Sequence, residues 1–243
     1  MEKTKDTHLH KAQALASLDK LIDSYISSEP AKANKFLYWL EDYVKFLNCE
    51  PQFNPHYLRR YKKGEIIKAH LGYNIGSEEG GLHYCVVVEN NNALSSPVVT
   101  VVPLTSIKGT MDSSTLGYGE VNLGSDLKEK VCKKRDQLLH SAMVLVEDIK
   151  AHLPSEENPP ESIEEIKKAI QIANQKITLI SKLNDEIEKM KSGSIALVGQ
   201  MTTISKIRIY DPKRDSDPLG KVKLSNESLD AIDAAITKLF LKK

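Results

Sequence analysis

The sequence predicts an α+β protein: a small antiparallel β-sheet or β-barrel with an N-terminal helical hairpin, a helical insertion and a C-terminal helix. Three observations predict it. Apolar residues recur at three- and four-residue spacing over the first 50 residues, between about 125 and 192, and again near the C-terminus. Short runs rich in Val, Ile and Thr fill 64–124 and 193–209. Pro and Gly clusters mark each change of period. The division that follows is a hairpin at 1–50, a linker at 51–63, a sheet-bearing domain made of 64–124 and 193–243, and an inserted hairpin at 125–192.

The first helix is written by Leu9, Ala12, Leu15, Leu18, Ile22 and Tyr25. The second restarts at Pro30 with Phe36, Leu37, Leu40, Tyr43, Val44 and Leu47 on one face, which gives the hairpin an apolar inner side. "NCEPQFNP" then breaks the pattern, and "RRYKKG" (Arg59 to Gly64) ends the linker. "GEIIKAHL", "HYCVVVEN", "PVVTVVPLT", "GEVNL", "GSIALVGQ" and "TTISKIRI" read as strands of one sheet.

Between the strand groups, Leu138, Ala142, Leu145 and Ile149 have helical spacing, and "LPSEENPP" breaks it. Ser162 and Glu165 then form a capping-box pattern, and Ile163, Ile166, Ile170, Ala173, Ile177, Ile180, Asn184 and Ile187 follow a 3,4 heptad. That seam either packs on the preceding helix, or serves in part as an oligomer or partner interface with Asn184 fixing register. Ser225 N-caps a final amphipathic helix.

Composition excludes several classes. Among 243 residues, 34 Lys and Arg balance 33 Asp and Glu, so nucleic-acid binding must come from local patches. Arg59, Arg60, Lys62, Lys63, Lys133, Lys134, Arg135, Lys206 and Arg208 are the basic groups from which such a patch could be built. Cys49, Cys85 and Cys132 are odd in number and without a CxxC pair, against both a disulfide framework and a zinc site. No apolar run approaches the roughly 18 residues of a membrane span and no leader is evident, so the expectation is a cytoplasmic protein with no membrane partner. The sequence lacks GxxxxGK[ST], HExxH and GxSxG, which leaves no parts for nucleotide, zinc or serine-esterase hydrolysis.

What remains is the joint "IGSEEGGLHYCVVVENN", a turn rich in backbone N–H groups that runs into His83, with Thr105 one strand later. Such a set can bind an anion and move a proton. Over "GEIIKAHLGYNIGSEEGGLHYCVVVENNNALSSPVVTVVPLTS" the chain resembles the MazF/PemK toxins of type II toxin–antitoxin systems, with their G-[DE]-I/V start, GSEQGG-x-R-P loop, V-V-V-x-N strand, SP and terminal PLTS. "GSIALVGQMTTISKIRI" and the helix after it are similar to the family's second half.

The resemblance implies an SH3-like, CcdB-type small barrel, usually a homodimer, that cuts single-stranded RNA without metal or cofactor and is held by a cognate antitoxin. The substrate's own 2′-hydroxyl is the nucleophile, so the protein must deprotonate it, stabilise the phosphate and protonate the leaving oxygen. Carried over residue by residue, the catalytic set is His83, Glu78 and Thr105. The substrate-binding set is Ser77, Gly80, Gly81, Gln200 and Thr202. His83 stands where the family has arginine, Tyr84 where it has proline, Gly199 where an acidic residue is frequent, and Thr202 where it has arginine. A histidine, with a reference pKa of about 6.5, is mostly neutral at pH 7.5 and lacks the permanent fork of arginine, yet is itself a competent acid or base. The alternatives are a catalytically weakened module on the same fold that regulates by docking nucleic acid or a protein, and a helical adaptor with the sheet as platform.

Overall fold

The computed structural model describes residues 2–107, 116–151 and 163–241. The chain forms two compact units, one of 1–53 with 72–81, the other of 54–71 with 82–243. No helix among the described residues is long and apolar enough to cross a membrane.

The first unit holds α1 (Glu2–Ser28) and α2 (Pro30–Cys49), with Pro30 at the first position of α2, where its missing N–H costs nothing. The expected inner side forms only near the turn. Leu18, Ile22, Tyr25, Phe36, Leu37 and Leu40 are half-buried, whereas Leu9, Leu15, Tyr43, Val44 and Leu47 are exposed. A helix can cover only one stripe of its neighbour, and without a third layer the ends of a two-helix pair stay open to solvent. The strap 72–81 belongs to this unit, where the ring of Tyr73 lies 4.8 Å from that of Phe36.

The second unit carries an α+β core. Strands β1 (Ile66–His70), β2 (Leu82–Val87), β3 (Val98–Ser106), β4 (Glu120–Gly124), β5 (Ser194–Leu197), β6 (Thr202–Ser205) and β7 (Ile209–Asp211) form one antiparallel sheet in the order β4-β5-β3-β2-β1-β7, with β6 paired to β3. The run "TTISKIRI" is two strands and not one, because a single 3-10 turn at Lys206–Arg208, capped by the Ser205 hydroxyl, separates β6 from β7. Strand β3 is the organiser. Along one edge it pairs with β2, and along the other it pairs with β6 over Val98–Val101 and with β5 over Leu104–Ser106.

Alternation along the strands fills both faces of the sheet. Ile67, Ala69, Cys85, Val87, Val99 and Val101 bury one row with Tyr61, Ile204 and Ile209. Ile66, Val86, Val102, Leu104 and Ala196 bury the other under α3 (Asp126–Ala151), α4 (Ile163–Lys189) and α5 (Asn226–Phe240), through residues such as Val131, Leu183 and Ile232. Ser225 caps α5 as expected, its hydroxyl accepting from the Ser228 N–H at 3.2 Å. Ser162 of the expected capping box lies outside the described residues.

The α4 seam is corrected by the structure. Ile166, Ala173, Ile180 and Ile187 face inward, but Asn184, Ile170 and Ile177 are exposed, the two isoleucines at 44% and 55%. The other half of the buried stripe is Ala169, Lys176, Leu183 and Met190, one residue earlier at each turn. Helices α3 and α4 pack on each other as a hairpin, and the Lys176 ammonium donates to the Ser141 hydroxyl on α3 at 2.6 Å, so its apolar stem lies along the seam while its charge is satisfied.

Candidate functional site

His83 is the second residue of β2, facing Ala69 on β1. On the other side, β2 pairs with β3 as Tyr84↔Leu104 and Cys85↔Pro103. One further step of that register sets His83 opposite Thr105, and the imidazole Nδ1 lies 3.3 Å from the Leu104 carbonyl oxygen. Alternation puts His83 at the open end of the row that continues inward as Cys85 and Val87. Both His83 and Thr105 are half-buried, so the sheet end combines an imidazole and a hydroxyl with access to solvent.

The acidic loop is built differently. In the strap, the Gly81 N–H donates to the Gly72 carbonyl at 2.7 Å, and the Asn74 amide donates to the Glu79 carbonyl at 2.6 Å. Gly81 has φ +88°, and a Cβ on Gly80 would meet the Gly72 carbonyl oxygen at 2.8 Å, so both positions require glycine for backbone reasons. The Glu78 carboxylate accepts from the Ile75 N–H at 3.4 Å and is exposed, as is Ser77. Ser77, Glu78, Gly80 and Gly81 thus belong to the unit of the N-terminal helices, and His83 and Thr105 to the unit of the sheet.

Gln200 and Thr202 lie elsewhere in the sheet. Thr202 pairs with Val101, four residues along β3 from Thr105, which at about 3.4 Å per residue is on the order of 13 Å. Gln200 sits in the single 3-10 turn Val198–Gln200 and lines a separate cleft with Tyr118, Glu120 and Leu239.

Sequence reasoning missed a charged cluster beside the site. Tyr84, next to His83 but turned to the opposite face, donates its hydroxyl to the Glu186 carboxylate on α4. The Lys68 ammonium donates to both oxygens of that carboxylate, at 2.9 and 2.8 Å, and lies 5.3 Å from the centre of the Tyr84 ring. Burial pushes the Glu186 carboxyl up, but the bonds from Lys68 and Tyr84 outweigh it and hold the group below its ordinary value. Burial and the same carboxylate push the Tyr84 phenol upward, so it stays a donor. No sequence signal could have found this set, because its members are 102 and 118 residues apart.

Of the basic groups singled out in the sequence, Arg59 is consumed by Glu65 and Asp215, and Lys134 by the carbonyls of Asp217 and Gly220. Lys206 is buried and donates to the Ala93 carbonyl. Arg208 reaches the end of β1, where its Nε donates to the His70 carbonyl at 2.7 Å. Among the described residues no group of three His, Cys, Asp or Glu side chains could hold a metal ion.

These features define an α+β protein whose antiparallel sheet presents a histidine and a threonine at one end and an acidic, glycine-rich strap just before that histidine. Residues 62–174 match the family described as PemK-like, MazF-like toxin of type II toxin-antitoxin system. That match spans a little under half of the chain and supports the resemblance its motifs carry. The match takes in β1 to β4, α3 and the first part of α4, and stops before β5. A search of curated proteins returned no match.

Proposed function

We propose that the protein is a metal-independent endoribonuclease toxin that cleaves single-stranded RNA at the sheet end carrying His83 and Thr105. The observation that carries the reading is the register of β2 on β3, which sets those two side chains opposite each other within the span matched by the toxin family. The 2′-hydroxyl oxygen attacks phosphorus, the bond from phosphorus to the 5′-oxygen breaks, and the products are a 2′,3′-cyclic phosphate and a 5′-hydroxyl. His83 transfers a proton or, protonated, holds the phosphate; Thr105 donates its hydroxyl to a phosphate oxygen; Glu78 takes the 2′-proton or orients the group that does. Ser77, Gly80 and Gly81 supply strap contacts to the substrate, and Gln200 and Thr202 extend them along the sheet.

The same reading gives the sheet an SH3-like, CcdB-type barrel form, pairs two chains as a homodimer, and assigns a cognate antitoxin as protein partner in the cytoplasm. The division into a hairpin at 1–50, a linker at 51–63, a barrel at 64–124 and 193–243, and an insertion at 125–192 belongs to it as well. The test is incubation of the full chain with long single-stranded RNA in EDTA. Cleavage leaving cyclic phosphate ends, lost at least a hundredfold in His83→Ala, is the expected result. Cleavage that needs added magnesium, or that His83→Ala leaves untouched, overturns the mechanism. RNA bound but never cut favours the docking module.

A further inference from the structure

The last two residues of β3, Thr105 and Ser106, pair with Ile195 and Ser194 at the start of β5. A cleft opens over this corner, lined by Thr105, Ser106 and Ser194 and by three lysines that the helical insertion supplies: Lys128 from the first turn of α3, Lys189 from the end of α4, and Lys191 just beyond it. Other lysines of this unit are taken up, Lys63 by Asp233 and Lys68 by Glu186. Among the described residues, Lys128, Lys189 and Lys191 enter no ion pair and no side-chain hydrogen bond, although Lys189 lies within the field of Glu186. Lys189 and Lys191 are exposed and Lys128 is half-buried, so three cations flank hydroxyl donors at the strand end that carries Thr105.

We propose that this cleft, on the helical face of the sheet, is a contact track for the phosphodiester backbone of single-stranded RNA; the proposal rests on the nuclease reading above. Ammonium groups neutralise successive phosphates, and hydroxyls donate to their non-bridging oxygens. A flexible acidic peptide offers carboxylates to the same lysines, but Tyr84 also lines the cleft, and an aromatic side chain among cations suits a strand whose bases stack.

The experiment measures binding of the full chain to a labelled, uncleavable 2′-O-methyl oligonucleotide by anisotropy over a range of salt. For single strands the slope of log K against log salt is about 0.7 per neutralised phosphate, so the triple variant Lys128→Gln, Lys189→Gln, Lys191→Gln is expected to lower it by about 2 and to weaken binding at least tenfold at low salt. A control removes the same charge from the outer face of α4 with Lys167→Gln, Lys168→Gln and Lys182→Gln, and is expected to leave the slope unchanged. An equal loss in both triples, or no loss in either, overturns the track. Binding of poly-glutamate but not of the oligonucleotide overturns it in favour of an acidic protein partner. The two readings fail separately: lysine-dependent binding without cleavage supports the track and removes the nuclease, whereas cleavage with an unchanged KM in the cleft variant removes the track and leaves the nuclease.

Discussion

Replacing Glu186 by leucine tests the link between α4 and the sheet. Among the described residues, that carboxylate is the hydrogen-bond acceptor for both the Lys68 ammonium and the Tyr84 hydroxyl, and Lys68 and Glu186 expose only 13% and 14% of their side chains. Removing one member of a buried pair costs about 3–5 kcal/mol, because the other charge stays desolvated without compensation. Residual contact with water lowers that to about 2–3 kcal/mol, and at about 3 °C per kcal/mol for a domain of this size the melting transition of the sheet-bearing unit should fall by about 6–9 °C. In the double variant Lys68→Met, Glu186→Leu no charge is stranded, so at least half of the loss should be recovered. The pH dependence has a fixed sign. The folded pKa of Glu186 lies below its ordinary 4.5, so the stabilisation is complete above that value and is lost as pH falls through the folded value. Calorimetry of the wild type, Lys68→Met, Glu186→Leu and the double variant between pH 3 and 7 checks this. Additive losses in the double variant, or a wild-type advantage over Glu186→Leu that persists undiminished at pH 3, refute the reasoning.

On α4, Leu183→Ala should cost about 2–5 kcal/mol by opening a cavity in the core, whereas Ile177→Asp should change stability by no more than about 0.5–1 kcal/mol; urea melts that rank them the other way refute the corrected seam. Burial pushes the Asp211 carboxyl up to about 6, so its favourable contribution is present below about pH 3.8 and is lost as pH rises through 6. Asp211→Asn, which keeps an oxygen for the Leu219 N–H, should therefore gain about 1–2 kcal/mol over the wild type at pH 7 and nothing at pH 4, and equal stability at both refutes it. His83→Arg separates the two roles open to the imidazole in the nuclease assay: a higher rate with a flatter pH profile means that it holds the phosphate as a cation, and loss of cleavage means that it serves as base.

How much of this was legible in the sequence depends on how local each signal is. Strands announced themselves through β-branched runs, and α5 through Ser225 followed by an amphipathic face, because those preferences act within a few residues. The seam of α4 was legible by half. Two 3,4 patterns share Ile166, Ala173, Ile180 and Ile187, and the charge on Lys176 argued for the wrong one until its partner Ser141 on α3 was in place. The first unit was over-read, since periodicity announces an apolar face but not whether anything covers its ends. Long-range register sets which candidate residues meet: β2 on β3 brings His83 opposite Thr105, and β6 on β3 carries Thr202 four residues away from that pair.

Positions 83 and 84, where the chain departs from the toxin motif side by side, have different physical explanations. Tyr84 points to the helical face, where its hydroxyl donates to Glu186, a bond that proline in the same place has no group to make. That departure is accounted for by α4: a chain that lays α4 across this face needs a donor there, and the adjacent Lys68 completes the attachment. Alternation turns His83 to the other side of the sheet from Tyr84, at the open end of its row and across from Thr105. Packing on the helical face therefore explains the tyrosine but not the histidine. Lys128, Lys189 and Lys191, which line the cleft on the helical face, are the cations that the proposed track assigns to the phosphates. If the nuclease reading holds, recognition of phosphate and transfer of the proton are divided here between the insertion and the strand, and substitutions in the two should affect KM and kcat respectively.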